Sequence, residues 1–232
     1  MIAVALVVAS INIIEDKKKR KKIWVKQYLK LREKMAPILY YYPLSAPSRG
    51  ALLAARLIGV PIEIKNINLK EKEQLEESFL KINPQHCVPT LDDDGFIIWE
   101  SRAIACYLAD KYGKDDKFYP KDLKLRTIIN QRLFFDSSSL YFPILFLGVK
   151  EIKQQLKDDL NISLGFLEQF LSKSKWVAGE GPTIADTSIY ASVSNLVVRM
   201  NCYKFVHFYL FIGVMYLKYL LSTSIEFTIP ID

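Results

Sequence analysis

The sequence predicts an α/β unit with a mixed four-stranded sheet followed by an all-helical unit. A strand, turn, helix, strand order spans Ile38 to Ile67. An Asp94-Gly95 pair sits between two apolar runs, the strongest short-range hairpin signal. From Asp122 to Phe135 and from Glu151 to Leu171 the apolar residues then recur at helical spacing.

The chain opens on the apolar run 1–14 and the basic run Lys17 to Lys22. Residues 1–34 carry ten Lys or Arg and three acids, which accounts for the whole net charge of +7, so the remainder is balanced. A balanced body excludes an electrostatic case for nucleic acid. A secretory signal would place its charges before the apolar run, and this run is too short to span a bilayer. Residues 1–35 are therefore expected to be a basic leader, either a solvated, disordered extension or a gene-model artefact.

Three widely spaced cysteines, Cys87, Cys106 and Cys202, without any CxxC, point to a reducing compartment rather than a disulfide scaffold. With two histidines, His86 and His207, a multi-histidine metal centre is excluded, so no metal is expected.

Ile38 to Tyr42 reads as a strand ending at Pro43. Pro47 suits the first turn of a helix that runs to Gly59, which puts Ser45 on the loop at the helix N-terminus. As an isolated residue, Ser45 would be read as a helix cap. Ile62 to Ile67 alternates as a second strand, completing a βαβ unit. Leu69 to Lys81 is charged and loosely amphipathic, which predicts an exposed helix.

Ile82 to Ile104 is the densest stretch. Pro89 has no amide for a ladder, so Val88-Pro89 belongs at an edge or beside a bound chain. A cis bond there would leave the Val88 backbone free to pair with an extended peptide. Val88 to Leu91 and Phe96 to Trp99 are expected as an antiparallel pair. Ser101 is expected to cap a helix through Ile104, Ala105, Leu108 and Tyr112, and its free amides suit a carboxylate.

In order, NPQHCVPTL, DDGF and WESRAI resemble the glutathione-binding half of the cytosolic glutathione transferases, nearest the insect delta and epsilon classes. The resemblance covers about residues 36–197, and Met35-Ala36-Pro37 looks like the family's usual start. It implies a thioredoxin-like N-terminal domain over 36–112, a linker over 113–121 and a helical domain over 122–198. It also implies a cytoplasmic homodimeric detoxification enzyme that joins the thiolate of reduced glutathione to small hydrophobic electrophiles, with glutathione as co-substrate and no other cofactor.

By the same resemblance Ser45 is the catalytic residue, activating the thiol, and Pro47 belongs to its SAP-type motif. His86 would reach the glycine carboxylate, the Val88 backbone would hold the cysteinyl unit beside structural Pro89, and Glu100 and Ser101 would receive the γ-glutamyl end. Arg102 would assist, or would form a solvated first-turn pair with Glu100. Gln74 stands where many delta-class members carry a histidine. With serine at positions 45 and 48, disulfide exchange at this loop is unavailable. Thr183 and Asp186 form a Thr-x-x-Asp capping box and are read as structural.

Two departures set the alternatives. Leu140 to Ile144 is shorter than the aromatic helix of typical members, and the resemblance ends near Val197, leaving 199–232 as an atypical hydrophobic tail. Phe205 to Leu221 is at the lower limit for a membrane span, but Lys218 and His207 weaken that reading. One alternative is a non-catalytic binder of glutathione or hydrophobic ligands with a degraded second-substrate site. The other is an adaptor that uses its termini on a membrane or nucleic acid.

Overall fold

A computed structural model describes residues 36–145 and 154–199. The readings of the leader 1–35 and of the hydrophobic tail beyond residue 199 lie outside the described residues. Strands β1 (Ile38–Tyr41), β2 (Glu63–Asn66), β3 (Thr90–Asp93) and β4 (Phe96–Trp99) form one sheet in the order β2-β1-β3-β4. β1 and β2 are parallel, while β1 with β3 and β3 with β4 are antiparallel. This is the mixed sheet of the thioredoxin-like domain, with helices after it.

Helix α1 (Ala46–Ile58) is the crossover between the parallel strands and ends at Gly59, whose φ of 84° is the left-handed C-cap that glycine adopts without a Cβ penalty. It buries Ala51, Leu52, Leu53, Ala54 and Ala55, a nearly all-round apolar surface, because it packs on both α3 (Ser101–Tyr112) and α7 (Ile184–Arg199). Gly50 makes the second contact close: a Cβ there would stand 3.5 Å from the Ala191 Cβ and the Ser188 Cα. Leu39 and Leu91 from the sheet and Ile104 and Leu108 from α3 complete this part of the core, each worth about 1.5–3 kcal/mol of transfer free energy.

The hairpin forms as expected. Asp94 (φ 59°) and Gly95 (φ 84°) are its two-residue turn, both left-handed as a type I′ turn requires. The Asp92 carboxylate accepts the Gly95 amide at 2.7 Å. The Val88-Pro89 peptide is cis. β3, however, begins only at Thr90, two residues later than the sequence suggests, because Pro89 has no amide for a ladder.

Two other elements differ from expectation. β2 is exposed along its whole length despite its alternating pattern, since it is an edge strand paired with β1 alone. Residues 69–81 are not one helix but turns, a 3-10 turn (Glu73–Leu75) and the four-residue α2 (Glu77–Leu80). Only Phe79 of α2 is buried, edge-on against Tyr40 at 5.6 Å between ring centroids, so no continuous apolar stripe sustains a longer helix.

Beyond α3, Phe118 and Tyr119 are held against the helices. The Phe118 carbonyl accepts the Ile184 amide at 3.1 Å, and the Tyr119 hydroxyl donates to Asn130 at 2.8 Å. The second half contains α4 (Leu123–Phe135), a π-helical turn (Asp136–Leu140), α5 (Tyr141–Leu145), α6 (Gln154–Lys173) and α7. Ile129, Leu133, Leu140, Leu160, Leu164, Leu167 and Ile189 form its core.

At the start of α7 the Thr183 amide and hydroxyl donate to Asp186 Oδ2 at 2.7 and 2.9 Å, and the Val177 amide donates to Oδ1 at 2.9 Å. Burial pushes the Asp186 carboxyl up to about 6 against these bonds. No helix among the described residues is long and apolar enough to cross a membrane. Nor do three or more His, Cys, Asp or Glu among them gather as metal ligands would.

Candidate functional site

The sheet register brings the separate motifs to one place. Tyr40, near the end of β1, is opposite Thr90, the first residue of β3, and Thr90 is also opposite Trp99, the last residue of β4. Three segments therefore leave the sheet at the same end: Tyr42–Ser45 after β1, His86–Pro89 before β3, and Glu100–Ser101 after β4. Adjacent strands lie about 4.8 Å apart, so β1 to β4 across β3 spans roughly 10 Å.

Ser45 is the N-cap of α1. Its amide donates to the Tyr42 carbonyl at 3.0 Å, and its Oγ accepts the Ser48 amide at 3.2 Å. Pro47 occupies the first turn, where a missing amide costs nothing. Capping uses a lone pair of Oγ, and the hydroxyl hydrogen has no acceptor among the described residues. It stays available to a group arriving from outside.

The segment before β3 is built by a residue that sequence reading passed over. Buried Asn83 donates from Nδ2 to the Cys87 carbonyl at 3.2 Å and to Thr90 Oγ1 at 2.9 Å, while its Oδ1 accepts the Gln85 amide at 2.9 Å. Thr90 Oγ1 donates in turn to the Cys87 carbonyl at 2.8 Å. The Asn-Pro dipeptide at 83–84 was the available signal, because asparagine folds a turn through its own side chain. His86 is exposed at φ 45°, and half-buried Val88 follows. The Val88 amide and carbonyl join no ladder or turn bond among the described residues.

After β4, Glu100 and not Ser101 is the cap residue of α3, a correction to the sequence reading. Glu100 holds φ 71° and ψ 104°, and its side chain makes no capping bond. A non-glycine residue in that region costs about 1–3 kcal/mol, a strain that collects at binding sites. Ser101 is buried as the first helical residue, its Oγ accepting from Arg102 Nη1 at 3.2 Å.

The solvated pair of Glu100 and Arg102 does not form. Arg102 instead donates from Nε at 3.0 Å and Nη2 at 2.6 Å to Asp136 Oδ2 of the π-helical turn, and it lies over the Tyr141 ring at 5.4 Å. Asp136 is fully buried, and its Oδ2 also accepts the Ser188 hydroxyl at 2.6 Å. Arg102 thus ties the N-terminus of α3 to the helical half. Asp136 and Ser188 are distant in sequence and carry no motif, so only the fold reveals them.

The family model for the glutathione S-transferase N-terminal domain matches residues 39–116. Glutathione S-transferase D7 of Anopheles gambiae is 46% identical over 169 residues, covering 70% of this chain and 77% of that protein. The solved structure of glutathione S-transferase unclassified 2 from Bombyx mori superposes with a TM-score of 0.73 at 63% identity, covering 79% of this chain and 89% of that one. A delta-class glutathione transferase from Nilaparvata lugens gives a TM-score of 0.75 at 42% identity, covering 81% and 92%. The chain belongs to the cytosolic glutathione S-transferase family, among the insect delta and epsilon members, and is a glutathione transferase.

Proposed function

We propose that the protein joins reduced glutathione to small hydrophobic electrophiles, with Ser45 activating the sulfur. The observation that carries this reading is the convergence of Ser45, Val88 and Glu100–Ser101 at one end of the sheet. A tripeptide extends about 10 Å, which matches the span from β1 to β4. Bound as an added strand, it pairs its cysteinyl backbone with the amide and carbonyl of Val88. The γ-glutamyl carboxylate meets the N-terminus of α3 at Glu100 and Ser101, and the glycine end lies toward His86. Arg102 supports Ser101 from behind rather than touching the ligand.

The chemistry needed is thiol ionisation. A free thiol titrates near 8.5, so at neutral pH it is mostly protonated. The Ser45 hydroxyl donates to the thiolate and lowers that value, each unit being about 1.4 kcal/mol. The sulfur lone pair then forms a C–S bond with the electrophile. The displaced halide, or the proton-accepting carbanion of an addition, carries off the electron pair, and the thiol proton goes to water. No further cofactor is required.

The protein works in this reading as a cytoplasmic homodimer. Free Cys87 and Cys106 suit a reducing compartment, and exposed Leu123, Leu125 and Phe134 on α4 with Phe96 on β4 supply apolar surface for a second copy.

Ser45→Ala tests the assignment. Turnover of a chlorodinitrobenzene as a function of pH is expected to show a thiol midpoint raised by about one to two units, about ten- to hundredfold in thiolate fraction below it. Retention on glutathione resin should persist. An unchanged midpoint would refute the role of Ser45, and retention of the native protein without turnover would identify the non-catalytic binder instead.

A further inference from the structure

The side chain of Arg49 joins three groups that the reaction described above does not use. Its Nη1 donates to the carbonyl of Pro43, on the loop two residues before Ser45, at 3.0 Å. Its Nη2 donates to the carbonyl of Ala191 at 3.3 Å and to the Ser194 hydroxyl at 3.2 Å, both on α7. The Ser194 hydroxyl itself donates to the Ala191 carbonyl at 2.8 Å, which fixes that end of the strut. The Arg49 amide donates to the Ser45 carbonyl at 3.0 Å, so backbone and side chain of the same residue grip both ends of the Pro43–Ser45 loop.

The loop has little else to hold it. Pro43 and Leu44 are exposed, and Pro43 has no amide to contribute. Within the loop, the Ser45 amide on the Tyr42 carbonyl is the one other backbone bond among the described residues. A guanidinium suits this place because its planar fork presents several donors at once, whereas an ammonium on a flexible stem would have to choose between the loop and α7. The close approach of α1 to α7 at Gly50 brings the two ends within reach of one side chain.

We propose that Arg49 is a positioning residue for the glutathione reaction: through the Pro43 carbonyl it holds the Ser45 hydroxyl at the sulfur and makes that placement depend on helix α7. This rests on the assignment of Ser45 as the group that activates glutathione. The prediction concerns the sulfur and not the grip on the tripeptide, because Val88, Glu100 and Ser101 stand on other segments. An Oγ displaced from the sulfur loses its hydrogen bond and with it the ionisation of the thiol. Misplacement of about 1 Å can cost up to about a hundredfold in rate.

The experiment titrates the ultraviolet thiolate band of glutathione bound to the full-length protein, alongside kcat and KM with a chlorodinitrobenzene. The variants are Arg49→Lys and Ser194→Ala, the second removing the half-buried hydroxyl that accepts from Arg49 and donates to the Ala191 carbonyl, in case the first folds poorly. Arg49→Lys is expected to raise the thiolate midpoint by about one unit, about tenfold in thiolate fraction below it. Its kcat should fall in proportion while KM for glutathione changes less than about twofold. Ser194→Ala should shift the midpoint in the same direction by a smaller amount. Variants that lose thermal stability but keep the native midpoint and kcat would overturn the proposal and leave Arg49 a purely structural strut. A normal thiolate band in Ser45→Ala would instead remove the assignment on which it rests, a result distinct from failure of the Arg49 variants.

Discussion

Removing the carboxylate of Asp136 is the most informative perturbation of the scaffold. Asp136→Ala leaves the Nε and Nη2 of Arg102 and the hydroxyl of Ser188 without the acceptor they share at 2.6–3.0 Å. The Arg102 side chain is 14% exposed and the Asp136 side chain 0%, so water compensates little of the loss. Breaking a buried ion pair from one side costs about 3–5 kcal/mol, because the remaining charge stays desolvated. At about 3 kcal/mol per molar urea, the unfolding midpoint should drop by about 1–2 M. The assay is urea unfolding of the native protein, Asp136→Ala, Arg102→Ala and the double variant. Since the two residues share one network, the double variant should be less destabilised than the sum of the singles by about 0.5–3 kcal/mol. Effects that add to within about 0.5 kcal/mol would refute the bridge. The same variant should raise KM for glutathione, because Arg102 also donates to Ser101 Oγ at the helix N-terminus.

Two further predictions concern pH and are read by urea unfolding across a pH series. Burial raises the Asp186 carboxyl to about 6 from 3.8, so the folded chain binds that proton more tightly than the unfolded one. Its contribution is complete below about pH 3.8 and is lost as pH rises through about 6; the stability deficit of Asp186→Asn should therefore narrow between those values, and a constant or widening deficit would contradict it. For Asp93 the balance runs the other way: burial pushes its carboxyl up, but hydrogen bonds from Lys111, Tyr107 and Tyr112 outweigh burial and hold it below its ordinary value. Its contribution is present above the ordinary aspartate value and is lost as pH falls through the lowered one, so the deficit of Asp93→Asn should shrink on acidification and persist at neutral pH.

Local rules explain what was legible in the sequence. Pro47 and Gly59 bracket α1, and Asp94-Gly95 specifies its turn, because each is a backbone preference that neighbours seldom override. Elements held by tertiary contacts were harder to read. Ser101 looks like a cap, yet Glu100 takes that place at φ 71°, because Ser101 is buried and occupied with Arg102. β2 alternates apolar and polar residues but lies at the sheet edge, where its alternation is not matched by burial. The charged run 69–81 has one buried anchor, Phe79, too few to sustain a helix of that length. The candidate site was legible as motifs, since Ser45, Val88, Glu100 and Ser101 follow from them. The register that gathers them at one sheet end, and the supports Asn83, Arg49, Asp136 and Ser188, depend on pairings between residues far apart in the chain.

A crystal structure of the protein with glutathione bound is the most direct test of the central claim. The account predicts the cysteinyl backbone paired with the amide and carbonyl of Val88 and the sulfur within hydrogen-bonding distance of Ser45 Oγ. Glutathione seated elsewhere, or on Val88 with its sulfur turned away from Ser45, would contradict it.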